Sequence, residues 1–214
     1  NSMYTTIQKQ IQQIRENERD KYRAEIQLLS AQINPHFLYN TLECINMEIL
    51  NNHKQTASSM LTNLSDFMRI GLNYGDELIL LSNELLHAKS YINIMNFRFS
   101  QKIAVICTIQ PELMNCLILK SILQPLVENA IIHGLEGCDN GYICIYAAQK
   151  DGVLSISVTD DGCGMNQDMV DWINSPAPAK RDGHLGLYNV IQILKIYYGE
   201  EYGMHAEVEE DGTT

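Results

Sequence analysis

The chain has 214 residues, 45% of them hydrophobic, which suffices for one large domain or two small ones with a buried core and excludes a disordered chain. Lys and Arg total 15 against 26 Asp and Glu, a net charge of −11, which argues against nucleic acid or an anionic membrane surface as the main partner. Residues 1–100 carry 9 basic and 10 acidic side chains while residues 101–214 carry 6 and 16, so the two halves are expected to do different work.

From Tyr4 to about Leu50 helix formers dominate and Pro35 is the only strong breaker. Tyr4, Ile7, Ile11 and Ile14 step by three and four, as do Tyr22, Ile26, Leu29 and Ile33, the seam of paired helices. Between the two runs Glu18 interrupts the seam, where either a supercoil unwinds locally or a plain helix packs in imperfect register. A second helix is expected from Thr56 to Leu72 with Leu61, Leu64, Met68 and Leu72 on its apolar face, after a turn at Asn51-Asn52. Two such antiparallel helices would expose a long apolar stripe, which dimerisation into a four-helix bundle would bury. The domain boundary is expected at Asn73 to Glu77.

Beyond it the pattern predicts a helix from Ser82 to Phe99 and a strand over Ile103 to Ile109. A helix from Lys120 to Ile132 follows, then strands Tyr142 to Ala148 and Val153 to Thr159 joined at Lys150-Asp151-Gly152. A loop with Pro176 and Pro178, a helix from Leu185 to Tyr197 and a short strand near His205 to Glu209 complete the series. Helices and hairpins without strict alternation favour an α+β fold with a mostly antiparallel sheet. The six cysteines contain no Cys-x-x-Cys pair and read as reduced core thiols; a zinc site from Cys138, Cys144 and His133 is the weaker alternative. No run of about 18 apolar residues and no signal peptide is present, so the chain is expected neither to span a membrane nor to be exported by itself.

Four stretches bear chemistry. In Asn34-Pro35-His36-Phe37-Leu38-Tyr39-Asn40, proline inside a helix predicts a kink, beyond which Leu38, Leu42, Ile45 and Ile49 form the apolar face. His36 then lies opposite, accessible, with Asn40 and Glu43 within reach; it is a candidate nucleophile or an incidental surface histidine. In Gln124-Pro125-Leu126-Val127-Glu128-Asn129-Ala130, followed by His133-Gly134, Asn129 and His133 share a helical face beside Glu128. That polar notch could present an amide oxygen to Mg²⁺ or close an internal hydrogen-bond network. Leu154, Ile156, Val158 and Asp160 share one strand face, an apolar row ending in a carboxylate that could take a purine amino group, with Gly162 and Gly164 permitting close backbone approach; a plain turn uses the same residues. Finally Gly186-Leu187 opens a helix just after Lys180-Arg181, a place for phosphate or an ordinary solvated loop.

Taken in order, these four motifs, with Asp160-x-Gly162-x-Gly164 and Gly186-Leu187-x-Asn189-Val190, closely resemble sensor histidine kinases of the LytS/YesM type, over roughly residues 25–214. The resemblance implies a helical dimerisation hairpin bearing the phospho-accepting His36, a four-helix bundle in the homodimer, followed by a Bergerat-type (GHKL) ATP-binding α/β sandwich. It implies Asn129 on Mg²⁺, Asp160 on the adenine, and the glycine segments as a lid over the phosphates of ATP. The expected layout is a signalling coiled-coil helix over 1–28, dimerisation and phosphotransfer helices over 29–75, and the ATP-binding domain over 76–214. The chain is then the cytoplasmic portion of a plasma-membrane sensor, its partner the receiver domain of a response regulator.

Three departures stand out. Phe37 follows His36 where the commonest histidine kinases have an acidic residue, leaving Glu43, Glu128 and Asn40 as candidates for handling the proton. His184 stands where the lid often has glycine, and the chain stops at Asp211-Gly212-Thr213-Thr214 where relatives continue into a last strand. The expected reaction is in-line transfer of the γ-phosphoryl group to His36 and on to a regulator aspartate. A Bergerat-type ATPase doing conformational work, or a phosphatase or scaffold with weak kinase activity, are the alternatives. In the acidic half, Mg²⁺, backbone amides and Lys180-Arg181 would have to neutralise the nucleotide, so binding should weaken without the cation.

Overall fold

A computed structural model describes residues 35–71, 77–99, 102–135, 137–138, 140–181 and 183–208. The expected seam and irregularity at Glu18, the kink preceding Pro35 and most of the expected boundary at Asn73 to Glu77 lie outside these residues.

Helices α1 (Pro35–Leu50) and α2 (Lys54–Gly71) form the expected hairpin, turning at Asn51-Asn52, with Asn52 at φ 62°. Their buried faces differ from the expected ones. On α1 the buried residues are Phe37, Thr41 and Ile45, whereas Leu42 and Ile49 are exposed. On α2 they are Ala57, Met60, Leu64 and Phe67, with Leu61 exposed. The reason is the neighbour. Both helices pack on α3 (Leu81–Phe99), which draws Phe37 and Phe67 inward and leaves the aliphatic stripe outside.

Helix α3 is the spine. Ten of its side chains are buried over more than half of its circumference, because the hairpin covers one side and the sheet another, and the exposed side chains are the stripe Asn83, Leu86, Lys89, Asn93 and Phe97 with the terminal Phe99. Phe37 stacks on Tyr91 at 5.2 Å between ring centroids and on Phe67 at 5.0 Å, and Phe67 lies on the His87 ring at 4.4 Å. Polar links hold the same interface: Asn93 Nδ2 donates to Asn63 Oδ1 at 2.9 Å, and Lys120 Nζ donates to the Gly71 carbonyl at 2.8 Å.

Strand β1 (Leu78–Leu80) pairs antiparallel with β3 (Leu117–Leu119), two short strands the sequence pattern did not separate from their surroundings. The main sheet runs β2 (Lys102–Ile109), β4 (Asn140–Lys150), β5 (Val153–Asp160) in that order. It is mixed: β2 and β4 are parallel and β4 and β5 antiparallel, so with β1–β3 two of the three described pairings are antiparallel, in line with the mostly antiparallel expectation. The long crossover from β2 to β4, through β3 and helix α4 (Leu123–Asn129), permits the parallel pairing. The β4–β5 hairpin turns as expected at Asp151-Gly152, both with positive φ.

Two further elements depart from expectation. Helix α5 (Gln167–Ile173) occupies the presumed loop, capped by Asn166, whose side chain accepts the Met169 N–H at 2.9 Å. The expected strand near His205 to Glu209 is absent over the described residues 202–208. There Ala206 spends both its N–H and its carbonyl on the side-chain amide of Asn174, at 2.9 and 2.8 Å, instead of on a neighbouring strand. Helix α6 (Leu185–Tyr198) matches its expected span to one residue.

His87 is 1% exposed and neither ring nitrogen has a hydrogen-bond partner among the described residues; burial and the nearby Lys120 push its pKa down to about 4. A histidine held neutral in the fold protonates more readily unfolded, so its contribution is complete above about pH 6.5 and is lost as pH falls toward 4. Wild-type unfolding free energy should therefore drop over that window by up to about 3 kcal/mol more than that of His87→Leu, as read from urea melts.

Candidate functional site

The site is built on α4 and its continuation. Ser121, at φ 62°, breaks the expected long helix, so α4 starts only at Leu123. Its N-terminus meets the fully buried Glu84 of α3, whose carboxylate accepts the N–H groups of Leu123 at 2.9 Å and Ser121 at 3.1 Å. Burial pushes the Glu84 carboxyl up, while these backbone donors pull it down. A carboxylate at a helix start is favoured by the exposed N–H groups and by the helix dipole. The far end of α4 carries Glu128 and Asn129, and the chain then widens into a π-turn, Ala130–Gly134, that carries His133.

Gly134 brings this turn against the end of β5. Asp160 is 5% exposed; its Oδ1 accepts the Gly162 N–H at 3.0 Å, and the Gly134 carbonyl accepts the Cys163 N–H at 2.9 Å. Burial pushes the Asp160 carboxyl up, the Gly162 N–H pulls it down, and Asp161 raises it again. As the sequence suggested, an apolar row on β5 does end in a buried carboxylate. The glycines are sterically required: a Cβ on Gly134 would stand 2.3 Å from Asp160 Oδ1, and one on Gly162 would stand 2.0 Å from the Gly134 carbonyl oxygen. Gly164 has φ 73°.

Two cavities meet here. One, of about 490 Å³, is walled by Asp160, Gly134, Cys163, Gly164, Met165 and Arg181. The other, of about 560 Å³, lies between the hairpin and the rest, walled by Pro35, Phe37, Tyr91, Glu128, Gly186 and Leu187 among others. Asn129, His133 and His184 belong to both. Burial raises the Glu128 carboxyl. The His133 and His184 rings lie 5.3 Å apart, and burial, with His133 and Arg181 nearby, lowers the pKa of His184. Gly186 sits close under α4, where a Cβ would approach Pro125 to 3.2 Å, and Leu187 is buried with Met169 and Ile173.

Several expected residues fall elsewhere. His36 is exposed and lines neither cavity, although its neighbours Pro35 and Phe37 line the second. Asn40 is within hydrogen-bonding distance, its Nδ2 3.1 Å from His36 Nε2 and 3.3 Å from Nδ1. Glu43 is exposed two turns along the same helix, and Lys180 is exposed and lines neither cavity. Among the described residues no group of three or more His, Cys, Asp or Glu is arranged to hold a metal ion, which removes the support for zinc at Cys138, Cys144 and His133. Also among them, no helix is long and apolar enough to cross a membrane. Sequence reasoning missed Glu84 and His87, which sit on the helix expected from Ser82 to Phe99, and Trp172, which donates to the Ala179 carbonyl at 2.7 Å and holds the loop before α6.

Residues 24–103 match a family described as histidine kinase, and residues 115–214 match the histidine kinase-, DNA gyrase B-, and HSP90-like ATPase family. The sensor histidine kinase YpdA of Escherichia coli is 37% identical over 193 residues, 89% of this chain and 33% of that protein. The sensor histidine kinase YesM of Bacillus subtilis is 32% identical over 219 residues, 100% of this chain and 37% of that protein. The sensor protein LytS of Oceanobacillus iheyensis is 34% identical over 196 residues, 89% and 33% respectively. The chain thus spans about a third of the length of these relatives.

Because the Gly134–Gly162 contact leaves no room for a methyl group, Gly162→Ala should lower unfolding free energy by about 2 kcal/mol or more in urea melts. Gly203→Ala, with open space around it, should stay within about 0.5 kcal/mol of wild type.

Proposed function

The chain belongs to the histidine kinase family and carries both its kinase segment and its ATPase segment, and from this we propose that it phosphorylates His36 from ATP. What carries the reading is the wall common to the two cavities. A nucleotide whose purine amino group rests on Asp160 would extend its phosphates past Asn129, His133 and His184 toward the cavity flanked by Pro35 and Phe37. Arg181 on one wall, the backbone around Gly162 and Gly164, and the Gly186-Leu187 start of α6 supply donors for phosphate. Lys180 is left as a steering charge.

In the transfer step a neutral ring nitrogen of His36 forms a bond to the γ-phosphorus, the bond from that phosphorus to the β,γ-bridging oxygen breaks, and ADP leaves. The ring proton needs an acceptor. Glu128 suits this best, half-buried with burial raising its carboxyl, while Asn40 orients the imidazole and exposed Glu43 is the weaker candidate. Asn129 fits a divalent cation, since its half-buried amide oxygen is a hard donor of the kind Mg²⁺ accepts while keeping most of its ligands from water and phosphate. Mg²⁺, when bound, neutralises charge on the transferred phosphoryl group.

His36 is exposed and lines neither cavity, so transfer requires either a shift of the hairpin on the ATP-binding half or the nucleotide of a second copy. A homodimer is supported by Tyr39, Leu42, Ile49, Leu50 and Leu61, all exposed at 45–67%, on the hairpin's outer side. In this reading residues 29–75 dimerise and carry the phosphoryl group, residues 76–214 bind ATP, and residues 1–28 bring the signal. The phosphohistidine then passes its group to an aspartate of a response-regulator receiver domain, in a protein anchored to the membrane by segments outside this chain.

Incubation with γ-labelled Mg·ATP tests the proposal. Acid-labile, alkali-stable label on the wild type, absent from His36→Ala and Asn129→Ala, is the expected result. Free phosphate without protein label would replace the kinase by an ATPase, and neither product would leave a scaffold. Excess chelator should abolish labelling.

A further inference from the structure

We propose that His184 is a binding residue for the terminal phosphate of the nucleotide, acting beside His133, an inference that rests on the nucleotide orientation proposed above. The acidic half has few cations to offer, and among the described residues Arg181 is the only Lys or Arg on the walls of either cavity. Arg181 belongs only to the cavity that holds Asp160. A ligand anchored at Asp160 reaches the common wall at its other end, where the groups able to donate from a side chain are Asn129, His133 and His184. If Asn129 turns its oxygen to a cation, the imidazoles remain as donors for the γ-phosphate oxygens.

The placement of His184 suits this. It is the residue before α6, and its side chain makes no capping bond to that helix, so the ring is not spent on local structure. Its backbone is fixed on both sides: the His184 N–H donates to the Arg181 carbonyl at 3.3 Å, and the His184 carbonyl accepts from Tyr188 at 3.1 Å. The ring stands between His133 at 5.3 Å and Trp172 at 6.4 Å, and Trp172 is tied to the preceding loop through Ala179. A neutral imidazole carries one N–H, enough for one hydrogen bond to an anionic oxygen. A glycine there could offer only its backbone.

The test compares Mg·ATP and Mg·ADP affinities of the wild type, His184→Ala and His184→Gln by calorimetry, with urea melts to confirm folding. His184→Ala should weaken ATP roughly tenfold and leave ADP within about twofold, because only ATP carries the phosphate concerned. His184→Gln, which keeps an N–H donor, should recover most of the ATP affinity. Equal weakening of both nucleotides, or of neither, would overturn the proposal, as would failure of glutamine to rescue. Absence of ATP binding by the wild type would instead sink the nucleotide reading itself.

Discussion

Glu84 is fully buried in the middle of the molecule, and its carboxylate holds the first turn of the helix on which the site is built. A buried carboxyl group costs free energy unless its oxygens are satisfied, and here they are satisfied by backbone N–H groups that a helix start cannot pair internally. The bond fixes more than one end of one helix. Helix α4 is only seven residues long, from Leu123 to Asn129, so the direction set at Glu84 decides where Glu128 and Asn129 emerge. From there the π-turn delivers His133 and places Gly134 against Asp160 with no room for a side chain.

The same helix α3 also carries His87 and Tyr91 to the other side, where they receive Phe67 and Phe37 from the hairpin. One element therefore positions the cavity-lining helix α4 through a carboxylate and the histidine-bearing hairpin through aromatic rings. The aromatic contacts bury Phe37 next to His36, and helical geometry then turns His36 outward. The arrangement holds the imidazole off the cavities, and the His87 nitrogens within the interface, unpartnered among the described residues, leave it incompletely satisfied. A contact that is tight in packing yet incomplete in hydrogen bonding suits one of the two proposed routes, a shift of the hairpin.

The long helices, the strands of the β4–β5 hairpin and the Asp151-Gly152 turn were legible because hydrophobic period and turn chemistry are local. So was the row from Leu154 to Asp160, since alternation in a strand fixes its faces. What was not legible depended on partners remote in sequence. The buried stripe of α1 was read as Leu38, Leu42, Ile45 and Ile49, but the choice of face belongs to α3, which takes Phe37, Thr41 and Ile45. The parallel pairing of β2 with β4 depends on the crossover, and the loss of the expected strand near His205 depends on Asn174, some thirty residues away. Asn129 with His133, and Asp160, are legible as separate motifs; that the first two stand where two cavities join, with His184 on the same wall, needs three dimensions.

The central claim is that Glu84, which lines neither cavity, determines the placement of the residues that do. The most direct measurement is the Mg·ATP affinity of Glu84→Ala, taken at a temperature where circular dichroism shows the variant folded. Loss of the acceptor leaves the start of α4 unheld, and affinity is predicted to fall tenfold or more. Wild-type affinity in the folded variant would contradict the account.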